Sequence, residues 1–181
     1  TLIDVVNDTV LKNWSRGTNA NGPSIPNTSP ADIVIIGDVL HYSLQRSNSW
    51  WASNDEIYRI YIDNNTSATT LDAGSRIGSS GVVMGIGAVG NELWIGARPS
   101  SQNQGVGTIV RWNASNESWS ENLATIGNVQ RVNARFLGDC FPLDPASCEM
   151  WVAYGDNIMR RFQADNMTLL DEWTDIDGPI R

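Results

Sequence analysis

The sequence predicts an all-β chain made of about three copies of one four-stranded antiparallel unit. Three observations carry this. Similar stretches surround Arg59, Arg111 and Arg161, 52 and then 50 residues apart. Each is preceded by a pair of short apolar runs and followed by a further run that ends on a large apolar residue. No segment shows the 3.6-residue periodicity of a long amphipathic helix.

The stretch that defines the repeat reads Tyr58-Arg59-Ile60-Tyr61-Ile62-Asp63-Asn64, Val110-Arg111-Trp112-Asn113-Ala114-Ser115-Asn116 and Arg160-Arg161-Phe162-Gln163-Ala164-Asp165-Asn166. Alternation marks a half-buried strand, and Asp or Ser followed by Asn ends it in a turn that tolerates positive φ. Upstream lies a hairpin. It runs Val34 to Tyr42 around Gly37-Asp38 in the first copy and Gly87 to Gly96 around Gly90-Asn91 in the second. In the third, Phe136-Leu137-Gly138-Asp139 leads into an insertion bounded by Cys140 and Cys148, and Glu149 to Ala153 returns. Glycine followed by Asp or Asn suits a two-residue hairpin turn, so Gly138-Asp139 is read as the third such turn. Leu71, Trp119 and Trp173 are expected at matching places on the outer strand, and Trp14 on the outer strand of an earlier copy.

The resulting organisation is one β-repeat array over 1–181. Residues 1–30 are the end of a preceding unit with its connecting loop, 31–78, 79–127 and 128–176 are three units, and 177–181 starts another. The stretches 17–30, 74–81 and 174–181 read as connecting loops, and both termini read as breaking off within the pattern. The N-terminus has no basic, apolar leader and no initiator Met, so it reads as trimmed or cut from a longer product.

Charged residues are 18% of the chain and hydrophobic ones 41%, a balance that favours a folded core over disorder. The net charge is −8, with eleven Arg scattered along the chain and Lys12 the one lysine. No basic stripe is available to displace counterions, so nucleic acid and anionic membrane surfaces are not expected partners. No apolar run is long enough to span a bilayer.

Cys140 and Cys148 are separated by seven residues, and Pro142 and Pro145 bend that segment back on itself. A disulfide there would contribute roughly 2–3 kcal/mol in the chain-entropy model. It would place the chain in an oxidising setting: secreted, periplasmic or cell-surface. The Asn-x-Ser/Thr matches at Asn7, Asn13, Asn27, Asn64, Asn65, Asn113, Asn116 and Asn166 read as turn residues rather than glycan acceptors.

Four-stranded units repeating at this spacing are the pattern of β-propeller blades. Leu93-Trp94-Ile95-Gly96, Gly107-Thr108-Ile109-Val110-Arg111-Trp112 and Trp119 resemble the blade repeat of sensor-type propellers, the two-component-regulator repeats of bacterial sensor ectodomains. Kelch-like propeller blades are similar. The middle copy, Gly87 to Trp119, carries the match. The resemblance implies an array used for ligand sensing or protein contact. The Asp-box of sialidase-like propellers, the Trp-Asp and Gly-His pairs of WD repeats and the kelch double glycine are absent, so the resemblance lends no support to an enzyme. Three blades do not close a ring comfortably. The array is therefore expected to be a partial propeller, or to complete a ring by self-association as a homo-dimer.

No residue pattern points to catalysis, a cofactor or a metal. His41, the one histidine, sits in a strand-like Leu40-His41-Tyr42 with no nucleophile elbow, and reads as a packed or surface residue. Asp55-Glu56 and Asp171-Glu172 are adjacent on strands and point to opposite faces, which makes poor acid pairs; Asp175 and Asp177 read as solvated turn charge or a partial calcium loop. The glycines of Gly81 to Gly90 lack a phosphate-loop Lys and read as a tightly packed inner strand. The most suggestive contact residues are Trp50 and Trp51, in the polar insertion Arg46 to Asp55. Neighbours on a strand cannot share one face, so one of the two is expected to be exposed or to cover a neighbouring surface, unless both fold over their own sheet. The expected function is non-catalytic binding or scaffolding, with loops presented to a protein or glycan ligand. The alternatives are a glycan-active hydrolase or lyase with loop-face carboxylates, or a structural repeat of a surface layer.

Overall fold

The computed structural model of the chain describes residues 2–4, 6–12, 29–45, 56–63, 66–73, 76, 81–99, 106–120, 124–128, 135–140, 148–154 and 158–174. They form fifteen strands and, among the described residues, no α-helix. A short hairpin of β1 (Leu2–Asp4) and β2 (Thr9–Lys12) comes first. Sheet 1 is then β3 (Ser29–Ile36), β4 (Val39–Gln45), β5 (Glu56–Tyr61) and β6 (Thr66–Asp72), antiparallel in chain order. Sheet 2 is β7 (Gly81–Val89), β8 (Glu92–Pro99) and β9 (Val106–Asn113), with β10 (Ser118–Trp119) and β11 (Ala124–Asn128) both on the outer edge of β9. Sheet 3 is β12 (Arg135–Cys140), β13 (Cys148–Tyr154), β14 (Ile158–Gln163) and β15 (Leu169–Trp173). The all-β architecture of three four-stranded, blade-like units is therefore present, the outer strand of the second being split in two.

The hairpin turns have the geometry their residues dictate. Gly37 and Gly90 sit at φ 59° and 55°, each the first residue of a two-residue loop, where a type II′ turn needs a residue without a Cβ. A second turn, between the third and fourth strands, is built alike in sheets 2 and 3. The Asn116 side-chain oxygen accepts from the Ser118 amide at 3.2 Å, and that of Asn166 from the Thr168 amide at 2.8 Å. The residue between them takes positive φ, 52° at Glu117 and 59° at Met167. The Asn113 side-chain oxygen likewise accepts from the Ser115 amide at 2.9 Å, so three of the Asn-x-Ser/Thr matches are Asx turns. Asp8, just before β2, has the same φ, 51°. In all three sheets a backbone bond of 2.8 Å ties the turn after the third strand to the start of the second, from the amides of Ile62, Ala114 and Ala164 to the carbonyls of Asp38 and Asn91, in the first turn, and of Cys148, at the head of β13.

The register corrects three details. Gly138 and Asp139 are not a turn: they lie inside β12, opposite Met150 and Glu149, and the strand runs on until Cys140 meets Cys148. Trp119 pairs with Trp112, whereas Leu71 pairs with Ile57 and Trp173 with Met159, two residues before the repeat arginine. The place equivalent to Leu71 and Trp173 belongs to Ala124, opposite Ile109, because the outer strand of sheet 2 breaks after two residues and resumes. Finally, β3 begins at Ser29, inside the stretch read as loop, with an irregular register between Pro30 and Ile33 that accommodates the proline's missing N–H. Trp14 lies outside the described residues.

The sheets stack face to face and meet most closely along their first strands, β7 lying against both β3 and β12. Each interface is an apolar core. Between sheets 1 and 2 it holds Ile36, Ile57, Leu71, Leu93, Ile95, Val110 and Trp112. Between sheets 2 and 3 it holds Trp94, Ile109, Met150, Val152 and Phe162. A middle sheet whose strands are buried on both faces has no polar alternation, which is why Leu93-Trp94-Ile95 reads as an unbroken apolar run.

Candidate functional site

The three repeat arginines occupy the same position of the third strand, and each lies directly across the ladder from the centre of an apolar triplet on the second. The pairs are His41 with Arg59, Trp94 with Arg111 and Trp151 with Arg161. Every pair is on the face turned toward the next sheet. The Arg111 guanidinium lies 5.8 Å from the Trp94 ring centre and that of Arg161 5.5 Å from Trp151, within cation–π range.

From there the arginines reach forward. Arg111, 5% exposed, donates to the Ala164 carbonyl in the third–fourth strand turn of sheet 3 and to Ser120 Oγ at 3.0 Å. Burial pulls its pKa below the ordinary value, and the negative charges of Glu92 and Asp165 pull it partly back. Arg59, 7% exposed, reaches the corresponding turn of sheet 2, where it donates to Glu117 at 3.2 Å and stacks 5.0 Å above Trp112. The arginines therefore clamp one sheet to the next. Arg111→Met should cost about 2 kcal/mol, the worth of a charge-assisted bond plus an orphaned carbonyl; the shift of the urea midpoint is the measurement.

On sheet 3 the same face has no sheet over it among the described residues. Arg161 is held instead by Glu149 at 3.3 Å and by Asp171, both on its own sheet. Trp151 stacks on Trp173, ring centres 5.2 Å apart and planes 12° off parallel. Leu137, opposite Trp151, is 70% exposed, although in the same register Val34 is partly buried against the core shared with the next sheet and Gly87 is buried. At the other end of the array Ile33 and Ile35 are exposed.

Between sheets 1 and 2 the Arg59–Glu117 contact lines a gap. A cavity of about 300 Å³ opens where the turns of both sheets meet, lined by Asp38, His41, Arg59, Asn91, Ser115 and Glu117 among others. His41 is 1% exposed, its ring 5.7 Å from Trp112, and neither ring nitrogen has a hydrogen-bond partner. Burial first, and the Arg59 charge second, push its pKa down to about 4, so the ring is neutral at pH 7. A buried polar group left in that state costs about 1–3 kcal/mol. Where sheets 2 and 3 meet, the equivalent ring is the Trp94 indole, which packs on Phe162 with its Nε1 likewise buried without a hydrogen-bond partner.

The expected contact residues Trp50 and Trp51 lie outside the described residues, as do Asp55, Asp175 and Asp177. Asp171 and Glu172 diverge as their adjacency requires, Asp171 to Arg161 and Glu172 to Arg160. No group of three or more metal-ligating side chains occurs among the described residues. His41 taken alone does not reveal the cleft; the signal for it is the alignment of Leu40-His41-Tyr42 with Leu93-Trp94-Ile95 and Met150-Trp151-Val152.

No protein-family model matches the chain, and no curated protein does. Among solved structures it is similar to the computationally designed protein Ika8, at 9% identity and a TM-score of 0.56 over 87% of this chain. The chain spans 41% of the designed protein's length, and the likeness is one of fold. A chain of the mitotic checkpoint complex overlaps at a TM-score of 0.35 and 13% identity, over 96% of this chain and 63% of that one, too loosely to bear on the fold.

Proposed function

We propose that the chain is a non-catalytic binding and scaffold module of the β-propeller type, similar to sensor-type blades, which presents its loops to a protein or glycan ligand. The observation that carries this is the repeated arginine–aromatic pair, turned toward the next sheet in every unit and, among the described residues, uncovered by another sheet in the third. A surface that matches two internal interfaces in register is fitted to receive another sheet of its kind. The partner proposed is a second copy of the chain, completing the stack. In the same reading, 2–12 is a third-and-fourth-strand hairpin of another blade, which the shared turn geometry at Asp8 supports.

A secreted, periplasmic or cell-surface location remains part of the proposal, with a Cys140–Cys148 disulfide. The backbone register supports the disulfide alone, since the two cysteines are direct partners across the β12–β13 ladder.

Sedimentation equilibrium tests the assembly. The wild-type chain should weigh more than a monomer at micromolar concentration, and Leu137→Glu, which puts a charge at the centre of the open face, should return it to monomer. A monomeric wild type across the whole concentration range would remove self-association from the reading.

A further inference from the structure

We infer that the cavity between sheets 1 and 2 is a binding site for one neutral sugar residue. The inference deepens the glycan part of the reading above and rests on the array being a binding module. Its volume, about 300 Å³, is at the small end of ligand pockets, right for a monosaccharide unit and too small for an extended chain.

The lining selects the chemistry by elimination. An anion is disfavoured, because Arg59 is already engaged by Glu117 and Asp38 adds a further negative charge to the same wall. A metal ion is disfavoured by the lack of three converging ligating groups among the described residues. A wholly apolar guest would leave both nitrogens of His41 unpartnered. A polyol answers every wall, since each hydroxyl can donate and accept at once. The neutral imidazole offers one donor and one acceptor, Glu117 and Asp38 accept, and Arg59, Asn91 and Ser115 donate. The Arg59–Glu117 pair presents a donor beside an acceptor, which matches two neighbouring hydroxyls on a ring. Its acid half is the mobile one in chemical terms: Glu117 is 65% exposed, so it can turn to a ligand without opening the core. Trp112 serves from beneath, with His41 packed against it; the Arg59 guanidinium already lies over its ring, so it is no stacking platform.

The test is saturation-transfer NMR on the intact chain with the methyl glycosides of glucose, galactose, mannose and N-acetylglucosamine, and with methyl glucuronide as the charged comparison. At least one neutral glycoside should receive saturation and compete more strongly than the glucuronide. His41→Phe, which keeps the ring and removes both nitrogens, and Glu117→Gly, placed where the backbone is already at φ 52°, should each weaken binding about tenfold or more. The glycine variant guards against a folding artefact at the buried histidine. No saturation transfer from any neutral glycoside, or transfer unchanged in both variants, would overturn the assignment. A glucuronide that binds best would overturn it too. None of these outcomes touches the docking face of sheet 3, whose own measurement is the solution mass.

Discussion

Gly138→Ala is expected to lower the melting temperature by about 6–12 °C, for a loss of about 3 kcal/mol or more. A Cβ built on Gly138 would stand 2.2 Å from the Ala88 carbonyl oxygen, 2.7 Å from Val89 Cβ and 3.0 Å from Val89 Cα. The nearest group is backbone of a strand hydrogen-bonded within sheet 2, so it cannot swing aside as a side chain could. Relief requires β12 to move off β7, and that opens the core of Met150, Val152 and Phe162 behind it. Two other glycines calibrate the result. Gly37 and Gly90 have no heavy atom within 4 Å of the added Cβ but sit at positive φ, so Gly37→Ala and Gly90→Ala carry only the cost of left-handed backbone, about 1–2 kcal/mol. Thermal unfolding followed by circular dichroism reads all three. A Gly138→Ala protein melting with the wild type, or above the two turn variants, would show that the first strands are not in contact as described.

The same glycine marks the boundary of what the sequence could convey. The repeat was legible because local physics writes it twice per unit: a glycine-led turn between the first two strands and an Asx turn between the last two. The strand positions of Arg59, Arg111 and Arg161 followed, and so did the divergence of Asp171 and Glu172. Gly138-Asp139 imitated the first signal, since a glycine needed for close approach of two sheets looks like one needed for a turn. Only the Cys140–Cys148 register separates them. Trp119 misled for a similar reason: a large apolar residue near the outer edge is attractive wherever it falls, and pairing rather than spacing decides which neighbour it meets. The cleft was harder still. Its residues come from β3, β4, β5, β9 and three turns of two sheets, and what joins them is stacking between units, for which one sequence holds no local code.

Acidification should destabilise this fold well before its carboxylates are neutralised, and His41 is the reason. The buried ring takes a proton near pH 4 in the folded chain, against an ordinary 6.5 once unfolded. Between those values the unfolded chain binds more protons, so stability falls as pH falls. The loss should begin below about pH 6.5, reach about 2 kcal/mol at pH 5 and level off at about 3 kcal/mol below pH 4. The cause is first the removal of the ring from water and second the guanidinium of Arg59 across the ladder, itself 7% exposed. The Val39 backbone, the smallest of the three influences, acts the other way. Of the other charged groups around the cavity, Asp38 and Glu117 lie on its rim, and Arg59 stands between His41 and Glu117. Urea unfolding at a series of pH values measures the curve. His41→Phe should flatten it between pH 7 and 5 and match or exceed the wild type at pH 7, because it removes two unpartnered nitrogens. Arg59→Met should flatten it partly, by withdrawing the like charge. If wild type and His41→Phe lose the same stability over that range, the acid sensitivity belongs to the carboxylates, and the histidine is neither buried nor held neutral as the geometry requires.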